Sequence, residues 1–235
     1  MDSDPSTELD RLKKQYPKTY GKVQSAHPAR WLDKDEAFGT LIAACQDGTW
    51  IDSRDQLAIR LGLMGVRNTE AVHMTWGNLT ADRRLVWIGK GRRQRTVTPG
   101  PTFLDLLARW RRKYERELGR LVASSDPILC REVLGAARQG GPRRIAWGEP
   151  MAQRTFFGVV QKRSQAAGLG HVAPHDLRRS AAGILHDTCS ADGGHVYDLL
   201  DIQKVLDHAD PATTQRSYLS PMSSDVKKAA GSTLD

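Results

Sequence analysis

The sequence predicts an α+β fold that is mostly α-helical and includes a small antiparallel β-sheet. Apolar residues recur at helical spacing through most of the chain, whereas residues 83–99 change to the short alternating runs that are typical of paired strands. The chain has 235 residues, of which 39% are hydrophobic and 26% charged. This length and composition favour a globular protein with one main hydrophobic core.

The first part of the chain changes from a polar leader to helices. Residues 1–27 mix charged residues with Pro, Ser and Gly and show little apolar periodicity, so we expect a leader or linker there. From Trp31 onwards apolar residues recur at helical spacing and stop before residues 47–50, "DGTW". The dense apolar stretch at residues 57–63 indicates a second helix that is buried.

A short helix and a hairpin are predicted next. In "GVRNTEAVHMTW", residues 65–76, either Asn68 or Thr69 can cap a helix that carries Val72 and Trp76 on one face. The following period change predicts a hairpin. Its parts are a strand at Leu85–Ile88, the turn "GKGRRQ", and a return strand at Arg95–Thr98 before Pro99.

Helices resume after the hairpin. Residues 103–121 are amphipathic, and their pattern favours Trp110 as a packed side chain over one that stacks on bases between its neighbouring arginines. The remaining predictions are a Gly-, Pro- and Arg-rich loop at 138–150, a helix at 153–169 that ends at Gly168 or Gly170, a loop at 188–195, and a helix at 196–206.

The charge is concentrated in the middle of the chain. Residues 61–180 carry 22 Lys and Arg against 9 Asp and Glu, a net charge of +13. The flanking segments are slightly acidic, at −1 for residues 1–60 and −4 for residues 181–235. A basic middle with acidic ends favours a face for a polyanion, and nucleic acid is the leading candidate.

The cysteines and the lengths of the apolar runs indicate the cellular compartment. Cys45, Cys130 and Cys189 are far apart and odd in number, which favours a reducing environment. The N-terminus is too polar for a signal peptide, and no apolar run approaches the roughly eighteen residues of a membrane span. We therefore expect a cytoplasmic protein, associated with the nucleoid of a prokaryote.

A metal site is the weaker reading of one loop. His186, Cys189 and His195 lie close together in sequence and are residue types that bind zinc. A fourth ligand is missing from this loop, so the sequence favours no metal there.

Three short motifs carry side chains that suit phosphate chemistry. "GVRNTE" places Arg67 and Glu70 on one helix face, and "GKG" places Lys90 at the tip of the predicted hairpin. "HDLR" spaces His175 and Arg178 three residues apart, again on one face. Each motif is weak alone, because HxxR is expected roughly 0.7 times by chance in a chain of this composition.

A fourth motif lies near the end of the chain, in "LDHADPATTQRSY". It contains His208 and, ten residues later, Tyr218 in a polar segment. A tyrosine that packs in a core normally has apolar neighbours, and Tyr218 has none, although a tyrosine near the end of a chain, taken alone, is most often half-buried by packing.

In this order the four motifs resemble the catalytic domain of the tyrosine recombinases, the phage-type integrase family. The family patterns "GLRxxEL…W.D", "GKGxKxRxVP", "HxLRHxxAT" and "iqxLLGHxxxxTTxxY" correspond here to "GVRNTEAVHMTWGNL", "GKGRRQRTVTP", "PHDLRRSAA" and "IQKVLDHADPATTQRSY". The resemblance implies that residues 28–235 form this catalytic domain with a short C-terminal tail. It also implies that the family's N-terminal core-binding domain is absent, since only about 30 residues precede Trp31.

The resemblance implies a site-specific recombinase or integrase that cuts and rejoins DNA through a 3′-phosphotyrosyl intermediate. Tyr218 would be the nucleophile, because its phenolate can store the phosphodiester as an ester that a DNA hydroxyl reverses without metal, ATP or cofactor. The guanidinium groups of Arg67 and Arg178 would stabilise the transition-state charge. Three further residues complete the set: Lys90 would protonate the 5′ oxygen, His175 would take or relay the tyrosine proton, and His208 would bond the phosphate.

The sequence departs from the family pattern in three places. The histidine and tyrosine of the last motif are usually nine residues apart, whereas His208 and Tyr218 are ten apart. Asp207 occupies the position of a family glycine, and its carboxylate would repel a phosphate unless it turns away. Arg179 replaces a histidine that is frequent in the family.

The resemblance implies double-stranded DNA as the partner. It also implies homo-oligomers assembled on DNA, accessory DNA-bending proteins and a mobile element as the source of the site. Eight basic residues outside the catalytic set are predicted to contact phosphates without reading sequence: Arg92, Arg93, Arg95, Arg143, Arg144, Arg154, Lys162 and Arg163.

Two other functions fit the same residues. One is a DNA-binding module of the same fold that does not cleave, with the ten-residue spacing as the cause. The other is a strand-passage enzyme similar to type IB topoisomerases. A covalent DNA adduct separates the first from an enzyme, and joining of two different duplexes separates the second from a recombinase.

Overall fold

The computed structural model of the protein describes residues 30–45, 48–89, 92–134, 142–190 and 193–206. Within them, helices surround a shared core, and two separate two-stranded sheets lie at its edge. The predicted class, α+β and mostly helical, is confirmed. The helices are α1 (Trp50–Leu63), α2 (Asn68–Val72), α3 (Pro101–Leu118), α4 (Gln153–Ala166), α5 (Pro174–His186) and α6 (Leu199–Leu206), and the strands are β1 (Leu85–Ile88), β2 (Gln94–Val97), β3 (Cys130–Leu134) and β4 (Arg143–Pro150).

The segment before α1 differs from the regular helix that its periodicity predicts. It forms a π-helical turn at Asp35–Leu41 and a 3₁₀ turn at Ala43–Cys45. The Ile42 N–H donates to the Ala37 carbonyl at 3.3 Å, five residues back, and this wider turn buries Ala37, Leu41 and Ile42 but leaves Phe38 41% exposed. Hydrophobic spacing therefore predicted most of the buried face but not the hydrogen-bond pattern.

Helix α1 is the central element of the fold. It begins at a reciprocal cap: the Thr49 hydroxyl accepts from the Asp52 N–H at 3.1 Å, and the Asp52 carboxylate accepts from the Thr49 N–H at 2.9 Å. The helix packs against α3, α4 and α5. It approaches α5 most closely at Gly62, where an added Cβ would lie 2.7 Å from Leu177 Cδ1. A side chain at this position would hold the two helices apart.

The first hairpin matches its prediction within one residue. Strands β1 and β2 are antiparallel, with Leu85 opposite Val97 and Trp87 opposite Arg95. Leu85 and Trp87 are buried on the core face. The alternation of the sequence thus set the inward face of this hairpin.

The second hairpin corrects a prediction. Residues 138–150 are predicted to be a loop, yet residues 143–150 form β4, which pairs antiparallel with β3. Ile145 is 7% exposed and belongs to the core, and Arg143 Nη1 donates to Glu132 Oε1 of β3 at 3.0 Å. Burial and a cross-strand ion pair therefore outweigh the loop-like composition.

Helix α2 is shorter than predicted. Arg67 rather than Asn68 or Thr69 precedes its first turn, and the helix ends at Val72. Trp76 lies in a separate 3₁₀ turn, Trp76–Asn78, and is buried. Val72 and Trp76 therefore belong to the same hydrophobic core although they lie on two separate helical elements.

A small second core attaches α6 to the rest of the protein. Ile202 and Leu206 of α6 are buried against Ala182 of α5. Trp31, Leu185 and Tyr197 are partly buried around them. No helix among the described residues has the length and apolar character needed to cross a membrane.

Candidate active site

Arg67 is held at the start of α2 by Glu70. Arg67 Nη1 donates to Glu70 Oε1 at 2.9 Å, and the Arg67 backbone N–H donates to Glu70 Oε2 at 3.0 Å. The Arg67 side chain remains 29% exposed, so its guanidinium can still be approached from solvent. Burial alone would raise the pKa of Glu70, but the hydrogen bonds from Arg67 and the charge of Arg95 outweigh it and lower that pKa. Glu70 is therefore an ionised brace for Arg67.

His175 and Arg178 project from the first turns of α5. Pro174 starts the helix, and Asp176 Oδ2 accepts from the Ala173 N–H at 2.9 Å at its N-terminus. Arg178 is only 3% exposed. The sequence spacing of three residues places both side chains on the same side of the helix, as the motif predicts.

Arg178 connects three motifs through backbone carbonyls. Its Nη1 donates to the carbonyl of Gly65, two residues before Arg67, and its Nη2 donates to the carbonyl of Leu206 at the end of α6. Gly65 has φ of 79°, which favours glycine in this turn. One guanidinium group therefore ties α5 to the segment before Arg67 and to the helix that precedes His208 in sequence.

His175 has a pKa below its ordinary value. Desolvation of the ring is the largest cause that lowers the pKa, although part of the residue is exposed to solvent. The nearby charges of Arg179, Arg178 and Arg67 lower the pKa further. Asp176 opposes them. His175 is consequently neutral near pH 7 and able to accept a proton. The charge of Arg67 therefore also acts on His175.

A groove of about 480 Å³ opens beside this cluster, between α2 and the first hairpin. Arg67 and Glu70 line one side, and Trp87, Ile88 and Gly89 line the other. The hairpin prediction places Lys90 directly after Gly89. Lys90 itself lies outside the described residues.

The structure therefore brings together three of the six predicted catalytic residues, Arg67, His175 and Arg178. His208 and Tyr218 lie outside the described residues, as Lys90 does. Helix α6 ends two residues before His208 in sequence, and its last carbonyl contacts Arg178. The roles of all six residues stay predictions.

Most of the predicted phosphate contacts lie at the surface. Arg92 and Arg93 are exposed on the first hairpin, and Arg154 and Lys162 are exposed on α4. Arg143 and Arg144 are exposed on β4 as well, although Arg143 is paired with Glu132. These six side chains are accessible to a polyanion.

The structure corrects the prediction for Arg163. Its guanidinium is buried between two carboxylates: Nε donates to Asp55 Oδ2 at 2.8 Å, and Nη2 donates to Asp52. Nη1 donates to the Ala44 carbonyl at 2.8 Å, and the residue is 2% exposed. Arg163 therefore braces α4 against α1 and cannot reach a DNA backbone.

Arg95 is a second correction. It is 5% exposed, and its Nη1 donates to Glu70 Oε2 at 2.7 Å. Its guanidinium carbon lies 5.0 Å from the centre of the Trp87 ring. The Arg95 guanidinium is therefore buried against Glu70 and Trp87 and is not accessible to a DNA backbone.

The loop that contains His186, Cys189 and His195 was considered above as a metal site and judged against. No group of three or more His, Cys, Asp or Glu side chains with metal-binding geometry occurs within the part of the chain that the structure describes. The rings of His186 and His195 are 4.7 Å apart, and His195 Nδ1 lies 2.7 Å from the His186 carbonyl. These contacts join His195 to the last residue of α5.

Comparisons with known proteins identify the family of the chain. A model of the phage integrase family matches residues 30–223. Tyrosine recombinase XerD of Neisseria meningitidis serogroup A / serotype 4A (strain DSM 15465 / Z2491) is 30% identical over 192 residues, which cover 78% of this chain and 56% of the relative. Tyrosine recombinase XerC of Mycobacterium sp. (strain KMS) is 33% identical over 220 residues, which cover 92% of this chain and 63% of the relative. The chain thus spans somewhat more than half the length of these relatives.

Solved structures share the fold. XerH site-specific recombinase bound to palindromic difH substrate, in a post-cleavage complex, has a TM-score of 0.63 at 22% identity, covering 88% of this chain and 54% of that one. A lambda integrase dimer bound to a COC' core site has a TM-score of 0.55 at 15% identity, covering 90% of this chain and 57% of that one. With a family model that matches most of its length and a fold shared with these recombinases, the chain belongs to the phage integrase family.

Proposed function

We propose that this chain is the catalytic part of a site-specific DNA recombinase or integrase. The observation that carries the proposal is that Arg178 of the HDLR motif bonds the Gly65 carbonyl two residues before Arg67, which brings His175 and Arg178 close to Arg67 and to the groove that Arg67 lines beside the first hairpin. Guanidinium groups that stabilise the phosphoryl oxygens and a neutral imidazole that takes a proton suit in-line attack on a phosphodiester. Arg67, whose side chain is 29% exposed, can contact the phosphate directly, whereas Arg178 must exchange a backbone carbonyl for it. Double-stranded DNA is the substrate, and the chain acts as an oligomer on it.

In the proposed reaction the Tyr218 oxygen attacks the phosphorus while the bond to the 5′ oxygen breaks. His175 takes the phenol proton, because its lowered pKa keeps it neutral before the step. Lys90 delivers a proton to the departing 5′ oxygen, and Arg67 and Arg178 stabilise the phosphoryl oxygens with His208. A 5′ hydroxyl of a partner strand reverses the step and rejoins the DNA.

The exposed basic residues supply affinity. Arg92 and Arg93 lie on the hairpin that lines the groove, Arg144 lies on β4, and Arg154 and Lys162 lie on α4. Contacts of this kind position a duplex without reading its sequence and weaken as salt rises.

Covalent trapping tests the proposal. The protein is incubated with a library of nicked duplexes from source DNA and denatured, and nucleotide adducts are located by peptide mass spectrometry. We expect an adduct on Tyr218 that disappears in Tyr218→Phe, because only the phenol oxygen can form the ester.

The matched control is Tyr197→Phe, which removes a hydroxyl from a tyrosine packed beside α6 and should leave the adduct unchanged. Salt-sensitive binding to the same library without any adduct would contradict cleavage and favour the binding module. An adduct without joining of two different duplexes would favour the strand-passage enzyme.

A further inference from the structure

The Glu70 carboxylate is shared by two arginines beside the groove. Glu70 Oε1 accepts from Arg67 Nη1 at 2.9 Å, whereas Glu70 Oε2 accepts from Arg95 Nη1 at 2.7 Å and from the Arg67 backbone N–H at 3.0 Å. Arg67 stands at the start of α2, and Arg95 lies on β2 of the first hairpin. One carboxylate therefore connects guanidinium groups from two separate elements.

The three charged side chains differ in their exposure to solvent. The Arg67 side chain is 29% exposed and lines the groove, whereas the Glu70 and Arg95 side chains are 8% and 4% exposed. The Arg95 guanidinium carbon lies 5.0 Å from the centre of the Trp87 ring, and a Cβ on Gly89 would lie 2.8 Å from Arg95 Cδ. Arg95 is therefore enclosed, whereas an incoming anion can reach Arg67.

The charges of these three groups do not cancel. Burial raises the pKa of Glu70, but the hydrogen bonds from Arg67 and the charge of Arg95 lower that pKa below its ordinary value, so Glu70 is ionised. Two guanidinium groups and one carboxylate leave a net charge of +1. Solvent screens the enclosed charge of Arg95 only weakly, so the surplus positive charge is presented at Arg67, the most exposed of the three. Without Arg95, the ionised Glu70 would cancel the charge of Arg67.

We infer that Arg95 is a positioning residue for phosphate binding: by neutralising the Glu70 carboxylate, it leaves the charge of Arg67 available to the phosphoryl oxygens. The inference rests on the proposed function, in which Arg67 stabilises those oxygens. Arg95 acts through Glu70 and is too enclosed to touch the phosphate. Glu70 thus orients Arg67 through Oε1, while Arg95 balances its negative charge through Oε2.

A substrate that lacks the phosphate charge separates this role from a general role in stability. A methylphosphonate carries a methyl group in place of one non-bridging oxygen of the scissile phosphate, so this linkage is neutral. In both substrates the attacking oxygen forms a bond to phosphorus and the bond to the 5′ oxygen breaks. The methylphosphonate transition state has one negative charge fewer for Arg67 to stabilise. A defect in the charge at Arg67 should therefore be small on the methylphosphonate, whereas a folding defect slows cleavage of both substrates.

The test measures single-turnover cleavage by Arg95→Met on the duplex recovered by trapping, made with a phosphodiester or a methylphosphonate at the scissile position. Methionine keeps a long, adaptable apolar stem against Trp87 and removes the charge. We expect cleavage of the phosphodiester to fall by about 10²-fold, the lower end of the effect of removing one donor from a developing oxyanion. Cleavage of the methylphosphonate should stay within about threefold of the wild-type rate, because the lost charge acts on the missing oxygen.

A second pair of variants tests whether Arg95 acts through Glu70. Glu70→Gln keeps an oxygen that can accept from Arg67 but removes the charge that Arg95 neutralises. Adding Arg95→Met to Glu70→Gln should therefore change phosphodiester cleavage by no more than about threefold. This pair decides the matter if Arg95→Met alone does not fold, because the double variant encloses no carboxylate that has lost its partner.

The matched control is Arg84→Met, the same substitution in an exposed ion pair with Asp82 just before β1. It should cleave both substrates at the wild-type rate.

Three results would overturn the role of Arg95 while the proposed function stands. They are equal losses on both substrates, no loss on either, and a loss in the Glu70→Gln background as large as in the wild-type background. Wild-type protein that forms no adduct with either substrate would overturn the proposed function itself.

Discussion

At the residue scale, the surroundings of His175 set its chemistry. Desolvation of the ring lowers its pKa most, the guanidinium groups of Arg179, Arg178 and Arg67 lower it further, and the Asp176 carboxylate opposes these effects. The folded protein therefore binds a proton on His175 less readily than the unfolded chain does. This histidine stabilises the fold above its ordinary pKa, and the contribution is lost as pH falls toward the lower pKa of the folded state.

We predict that Arg179→Gln raises the pKa of His175. The substitution removes the positive charge that lowers this pKa most and leaves the Asp176 carboxylate in place. The acid limb of the cleavage rate should move to higher pH accordingly. The pKa is measured by NMR titration of the imidazole carbon signal, which His175→Asn assigns. Arg131→Gln, which breaks an exposed pair with Glu149, should leave that signal unchanged, and an unshifted His175 in Arg179→Gln would contradict the electrostatic account.

At the element scale, the contact between α1 and α5 determines where Arg178 lies. Gly62 lets the two helices approach, and Leu177, the neighbour of Arg178, is fully buried against it. The Gly65 carbonyl that accepts from Arg178 follows α1 by two residues. Spacing between these helices is therefore part of the geometry of the site.

We predict that Gly62→Ala destabilises the protein by about 1–3 kcal/mol through overpacking. The added methyl group meets both Cδ1 and Cβ of Leu177, at 2.7 and 3.1 Å, so rotation of the leucine end cannot relieve the contact. Urea unfolding measures the change. Gly158→Ala is the matched control, since its Cβ would meet nothing within 4 Å, and it should stabilise α4 by about 0.5–1 kcal/mol. A neutral Gly62→Ala would show that α5 shifts freely.

The apolar periodicity of their own elements predicts that Arg163 and Arg95 are buried, although the motifs and the local charge suggested DNA contacts. Arg163 follows Phe156 and Val160 at helical spacing and thus lies on the buried face of α4. Arg95 alternates with exposed positions along its strand and lies opposite Trp87. Both arginines could have been assigned to the interior from the pattern of their own elements, whereas the charge of the region suggested DNA contacts.

Other features could not be predicted from local sequence. The pairing of β3 with β4 depends on the burial of Ile145 and on the Glu132–Arg143 pair, which only the folded chain brings together. The donation from Arg178 to Leu206 likewise joins residues 28 positions apart. The order of the motifs predicted which residues form the site, but not which partners hold them.

At the scale of the whole molecule, a buried network of ion pairs joins helices α1 and α4 to the second hairpin. Asp55 accepts from Arg54 Nε at 2.9 Å and from Arg163 Nε at 2.8 Å. Arg54 also bonds Glu132 at 3.0 Å, and Glu132 bonds Arg143. Helices α1 and α4 and the second hairpin are thus connected by alternating charges.

We predict that Asp55→Asn destabilises the fold by about 3–5 kcal/mol, because two buried guanidinium groups lose a shared carboxylate. Asparagine keeps the shape, so the loss reflects charge instead of a cavity. The free energy of unfolding in urea measures it. Asp82→Asn removes a carboxylate from an exposed pair with Arg84 and should cause no measurable change. A similarly small effect at Asp55 would mean that Asp52 and Glu132 satisfy both arginines.

The attachment of α6 has a consequence for the order in which the molecule opens. Outside its own backbone bonds, α6 is held by a small cluster around Ile202 and Leu206 and by Arg178, whereas α1 is enclosed by the main core. Amide hydrogens of α6 should therefore exchange with solvent through a local opening that leaves α1 protected.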